Sequence, residues 1–159
     1  MSGFWSSLRD TMTFEELSNS LPNGLHDAEL ERLEIDYAQR LLTISAEIWV
    51  GSMNDPPTTR EAYRKAKITL SGLCFCVIES PDPAYPYQQV APTLDDFAPL
   101  KLDAEQVARS SVTISKMLLA SLPPGAFVHS FFVSDWNSFV HFAASDAQLE
   151  WVAAVTYRA

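Results

Sequence analysis

The chain has 159 residues, 47% hydrophobic and 19% charged, enough to bury one core without disulfide or metal staples and too apolar for wholesale disorder. Twenty acids against eleven lysines and arginines give a formal charge of −9, which repels a phosphate backbone or an anionic membrane and argues against a nucleic-acid role. The apolar runs, such as Met117 to Ala120, are far too short to span a bilayer.

The chain reads as a single domain over 1–159, with an N-terminal tail at 1–12. Phe4 and Trp5 stand in that otherwise polar tail, where an aromatic pair docks onto the body or onto a second copy of the chain. A homo-oligomer built through them is one expectation. The opening residues carry no basic stretch followed by an apolar run, so no secretory signal is read there and a cytoplasmic location is expected.

Residues 13–20 predict a short helix, with Thr13 as N-cap and Glu16 at the capping-box position. Leu21-Pro22-Asn23-Gly24 stops it. His26-Asp27 follows just before the first strand, and the preferred reading is a structural turn, although a histidine beside a carboxylate could also serve as a base or ligand. From Glu29 to Tyr37, Leu33, Ile35 and Tyr37 alternate with Arg32, Glu34 and Asp36; from Arg40 to Val50, Leu42, Ile44, Ala46, Ile48 and Val50 share one face. This period of two predicts an antiparallel hairpin turning near Ala38-Gln39, with one wet face.

After a loop at Asn54-Asp55-Pro56-Pro57, residues 62–79 predict a strand that starts half-exposed and ends buried, with Gly72 as a bulge or bend. It contains both cysteines, Cys74 and Cys76. On a strand they share a face about 7 Å apart, awkward for a mutual disulfide, and no further Cys or His lies nearby to complete a metal site. Two small buried hydrophobes in a reducing compartment is the simpler expectation.

Residues 80–100 hold five prolines, with Tyr85 and Tyr87 between them, and read as a long loop that excludes a central strand or a helix. Asp103 and Gln106 predict the start of a helix carrying Val107, Ser110, Ile114, Met117, Leu118 and Ser121, ended by Pro123-Pro124-Gly125. Three strands follow over 126–134, 138–145 and 148–158, with turns at Asp135-Trp136-Asn137 and Asp146-Ala147. The whole predicts an α+β fold: about six mostly antiparallel strands in a curved sheet with one or two packed helices.

No G-x-S-x-G elbow, P-loop, dinucleotide fingerprint or H-E-x-x-H spacing is present, so no catalytic residue, metal or cofactor is assigned. His129 and His141 fall on two arms of one predicted hairpin, and whether they share a face depends on its register. Between Asp10 and Asp55 stand ten acids and two bases, while Arg60 to Lys67 carries four bases and one acid. The basic segment can lie alongside the acidic strands through cross-strand pairs, or the acidic face can capture a basic protein. On the second reading, Glu31, Glu34 and Asp36 supply charge, and Trp49, Trp136, Tyr85 and Tyr87 supply aromatic anchors.

The run Gly24-Leu25-His26-Asp27-Ala28, followed by the alternating strands, resembles a loose group of small bacterial β-rich proteins with an L-H-D-A turn, some similar to immunity proteins of toxin systems. The resemblance spans about 25 residues. It implies a β-rich, non-enzymatic binding protein with an acidic face and His26-Asp27 as a structural signature. The alternative is a ligand-binding or hydrolytic domain with a pocket under the 80–100 loop, near Phe131, Phe139 and His141.

Overall fold

A computed structural model describes residues 10–84, 93–97 and 116–158. Their elements in order are α1 (Phe14–Asn19), β1 (Pro22–Leu25), β2 (Ala28–Asp36), β3 (Leu41–Trp49), α2 (Pro57–Arg60), β4 (Ala62–Ser71), β5 (Phe75–Ile78), β6 (Thr93–Phe97), α3 (Lys116–Ala120), β7 (Phe127–Val133), β8 (Ser138–Ala144), β9 (Asp146–Trp151) and β10 (Thr156–Tyr157). The chain is strand-rich: an antiparallel sheet carries short helices, an α+β arrangement. No helix among the described residues is long and apolar enough to cross a membrane.

The capping box forms as predicted. Thr13 Oγ1 accepts from Glu16 N at 3.1 Å, and Glu16 Oε2 accepts from Thr13 N at 3.1 Å. A six-residue helix does not stand alone in water; Phe14 and Leu17, 0% and 2% exposed, fix it to the sheet.

The hairpin β2–β3 also follows the sequence, closing from Asp36↔Leu41. Leu42, Ile44, Ala46 and Ile48 are buried, as their parity requires. Strand β2 holds one departure. Its register slips between Leu30 and Arg32, leaving Glu31 as a bulge. The extra residue switches parity, so Leu30 before it and Leu33 and Ile35 after it all pack on the same core.

The sheet order is β10-β4-β3-β2-β6-β7-β8-β5, with β9 also on β4. Strands β4 and β5 are separated by 72–74, and β8 and β9 by Ser145 alone, so the β4–β9 and β5–β8 pairings follow one another along the same two stretches of chain. Ser71 pairs with Asp146 on one side of the break and Phe75 with Ala143 on the other. Gly72 takes φ +62 there, and a Cβ on it would stand 2.6 Å from Ser145 Oγ, so both conformation and space require glycine. Residues from β3, β4, β7 and β8 meet in one core around Phe131, Phe142, Ile44 and Ile68.

Several expectations need correction. Among the described residues there are ten strands, nine of them in the sheet, rather than about six. The 80–100 segment does contain an inner strand: β6 lies between β2 and β7, because its five residues fit between Pro92 and Pro99 and lose no ladder donor. Asp146-Ala147 is not a turn. Ser145 N continues the ladder to Ser71 O at 2.9 Å, and the Asp146 carboxylate accepts Met12 N at 2.8 Å. The run 148–158 is divided into β9 and β10. Of the helix expected from Asp103, only Lys116–Ala120 lies among the described residues; Phe4, Trp5, Tyr85 and Tyr87 lie outside them.

Candidate functional site

The turn between β7 and β8 sets which side chains can meet. A 3-10 turn at Ser134–Trp136 ends on Asn137 with φ +48, and Val133 pairs with Ser138. That register places Ser130 opposite His141 and His129 opposite Phe142, so the two imidazoles point to opposite faces and form no two-histidine site. His129 enters the core, 4.5 Å from the Phe14 ring and 5.7 Å from that of Phe142.

On the other face, Ser130 Oγ lies 2.6 Å from His141 Nδ1, and His141 Nε2 lies 3.6 Å from Glu79 Oε1. The Glu79 carboxylate is held by Phe139 N, which donates to Oε2 at 3.2 Å, while Glu79 N donates to Phe139 O at 3.0 Å. Serine, histidine and carboxylate in this order have the composition of a nucleophilic triad. Ser130 and His141 are only 3% and 1% exposed, so no substrate carbonyl reaches the hydroxyl, and the group acts as a buried polar network. No local pattern marks Glu79, which joins by the pairing of β5 with β8, a contact sixty residues apart in the chain.

Burial pushes the His141 pKa below its ordinary 6.5, against the opposing pull of Glu79. The neutral imidazole is therefore favoured in the fold, and its contribution to stability is complete above that value and lost as pH falls through the lowered folded pKa. Thermal melts from pH 7.5 downward should show this loss starting near pH 6.5, and His141→Asn should flatten the profile in that window. An unchanged profile in the variant would contradict the assignment.

A cavity of about 340 Å³ opens beside this network, between β2, the end of β5 and the β7–β8 turn. Its wall is chiefly carbon, from Leu30, Leu33, Ile78, Val133, Trp136 and Val140. The Glu31 bulge turns Leu30 and Leu33 to one side, and β2 pairs with β6 only at Ala28 and Glu29. Glu79 is also among the wall residues, but its carboxylate turns to Phe139 N and His141, on the face opposite Ile78 and Val140. A larger depression of about 740 Å³ runs between α1 and β9. Its walls mix Asp10, Asp146 and Gln148 with leucines, and the Asp146 carboxylate already holds Met12 N and Gln148 Nε2. The smaller, more apolar cavity is the better-formed ligand site.

The acidic strands are met by bases. Arg158 donates to both oxygens of Glu29 and lies 3.3 Å from Glu47. This matters because Glu29 and Glu47 stand directly opposite each other in the ladder, a destabilising pair without a cation. The same guanidinium covers the Tyr63 ring at 3.9 Å. Lys65 Nζ lies 3.4 Å from Glu31, and Arg32 3.3 Å from Glu34; Asp36 accepts Gln39 N at 2.9 Å. Basic side chains thus meet Glu29, Glu31, Glu34 and Glu47 of the acidic strands.

Trp49 does not belong to a partner surface. It is 9% exposed and its indole N–H donates to Arg60 O at 2.8 Å. Trp136 packs partly against the core and faces the cavity. His26 and Asp27 are mostly exposed and 3.3 Å apart in the turn between β1 and β2, where Asp27 takes φ +57. Cys74 and Cys76 are free, and burial raises the Cys76 thiol to about 11, which leaves it protonated and unreactive at neutral pH. No group of three or more potential metal ligands gathers among the described residues. Comparison with protein-family models, with curated proteins and with solved structures finds no match for this chain.

Proposed function

We propose that this protein is a small-molecule-binding domain whose ligand enters the cavity between β2 and the β7–β8 turn. The carrying observation is that cavity of about 340 Å³, with six apolar side chains on its wall and polar groups at a few points. That is the chemistry of a site that takes an apolar body and orients it by a few contacts. A sheet curled around the core is part of the same reading, supported by the ladder that joins β4–β5 to β8–β9. Binding rather than hydrolysis is favoured because Ser130 and His141 are buried away from substrate.

A thermal-shift screen of small apolar compounds should find ligands that raise the melting temperature and change Trp136 emission, the signal being assigned by difference from Trp136→Phe. Trp136→Ala should remain folded and lose at least about tenfold in affinity, a removed indole being worth more than 1.4 kcal/mol in a packed site. A screen in which no apolar compound stabilises the protein would overturn the proposal.

A second reading keeps a protein partner. Tyr37 is 84% exposed at the tip of the β2–β3 hairpin, next to Asp36 at the end of the strand that carries Glu34, whose side chain is 60% exposed. An exposed ring among acids suits a basic protein, and an immunity-like role belongs to this reading. Reversing Glu31, Glu34 and Asp36 to Lys should slow association with such a partner and remove its salt dependence; unchanged kinetics would dismiss this face.

A further inference from the structure

Resting on the cavity reading, we propose that the ligand is an uncharged lipophilic molecule whose one oxygen, of an alcohol or a carbonyl, is held by the Ser138 hydroxyl. Ser138 opens β8 opposite Val133 and shares a face with Val140, two residues further on. Both valines stand on the cavity wall with Ser138, so the serine side chain turns to the cavity. The residue is only 2% exposed. Its oxygen is nevertheless not sealed within protein, and its hydroxyl makes no hydrogen bond with any described residue. A buried hydroxyl without a partner costs free energy. A ligand oxygen at this point supplies the missing partner.

The charged residues around the cavity are directed elsewhere. Glu79 turns its carboxylate to Phe139 N and His141, on the face opposite Val140. Glu31 meets Lys65 at 3.4 Å and Arg32 meets Glu34 at 3.3 Å, with side chains 36% and 69% exposed. An ammonium or a carboxylate among the carbon walls would therefore give up its hydration without gaining a counter-ion. A neutral oxygen gives up much less and recovers a bond from Ser138. The serine hydroxyl both donates and accepts, so it serves an alcohol and a carbonyl alike. The volume of about 340 Å³ lies at the small end of ligand pockets, roughly 300–1,000 Å³, and suits a short chain or a single ring.

The test is calorimetric titration of the full chain with 1-hexanol, 1-chlorohexane, hexylammonium and hexanoate, which share a tail and differ in the head. Hexanol should bind at least about tenfold tighter than either ion. Ser138→Ala should weaken hexanol about two- to tenfold, the scale of one neutral hydrogen bond, and leave 1-chlorohexane unchanged. The melting temperature of this variant without ligand should not fall, because the hydroxyl has no protein bond to lose; a fall would contradict the free hydroxyl. An equal loss for hexanol and 1-chlorohexane would mark a packing effect and overturn the role of Ser138, as would hexanol binding that the variant leaves intact. Either result would leave the cavity reading standing. Tighter binding by hexylammonium or hexanoate than by hexanol would overturn the uncharged assignment. No binding by any of the four would remove the cavity reading as well.

Discussion

Phe14→Ala should cost about 3–5 kcal/mol of folding stability, the range for deleting a buried aromatic ring. The residue opens α1 yet is 0% exposed. Its ring touches His129 of β7 at 4.5 Å and Phe142 of β8 at 5.0 Å. Alanine would leave a void bounded by two strands far away in sequence, where the backbone ladder prevents collapse. Against a typical total of about 5–15 kcal/mol, such a loss is a large fraction. Denaturant unfolding followed by two independent signals checks it. If α1 were a detachable appendage, the midpoint of the sheet's unfolding would not move. Phe14→Leu, which restores part of the apolar volume, should recover part of the loss.

What the sequence made legible was local. The capping box at Thr13 and Glu16, the alternation from Leu42 to Ile48 and the bend at Gly72 each depend on residues within a few positions of one another, and each is present. The bulge at Glu31 was hidden because the alternation on either side of it is intact; one inserted residue changes the parity of a whole strand without changing composition. Proline count misled at 80–100, since what matters is whether a proline falls within the paired residues, and none falls in Thr93–Phe97. Asp146 misled differently. A residue common in turns is here the acceptor for Met12 N, a partner 134 residues away that no local pattern encodes.

The same distinction governs the site. Ser130 and His141 become neighbours once the turn at Asn137 fixes the hairpin register, and that register could be narrowed but not chosen from the sequence. Glu79 and the cavity wall depend on β2, β5 and the β7–β8 turn converging from three separate stretches of chain. Aromatic type was a poor guide to exposure. Trp49 and Trp136 look equivalent as candidate anchors, but one indole is tied inward to Arg60 O and the other faces the cavity.

Gly51→Ala should destabilise by about 2–4 kcal/mol, combining overpacking with a disturbed buried hydrogen bond. An added Cβ would overlap the Arg60 carbonyl oxygen and stand 2.9 Å from both the Arg60 carbonyl carbon and Trp49 Nε1. These are the two ends of the indole hydrogen bond that ties the exit of β3 to α2. Gly51 O also accepts Asn23 Nδ2 at 2.7 Å, so a shift of this backbone reaches β1. Relief by rotating a flexible side chain is not open, because the obstructing atoms are backbone and a buried ring. Denaturant unfolding should show the loss, with Trp49 emission shifted toward that of a solvated indole. Gly125→Ala is the control: its φ is +84 and nothing lies within 4 Å of the added Cβ, so it pays only the left-handed strain of about 1–2 kcal/mol. If Gly51→Ala proved no more costly than Gly125→Ala, the close approach of β3 and α2 would not be what requires glycine at that position.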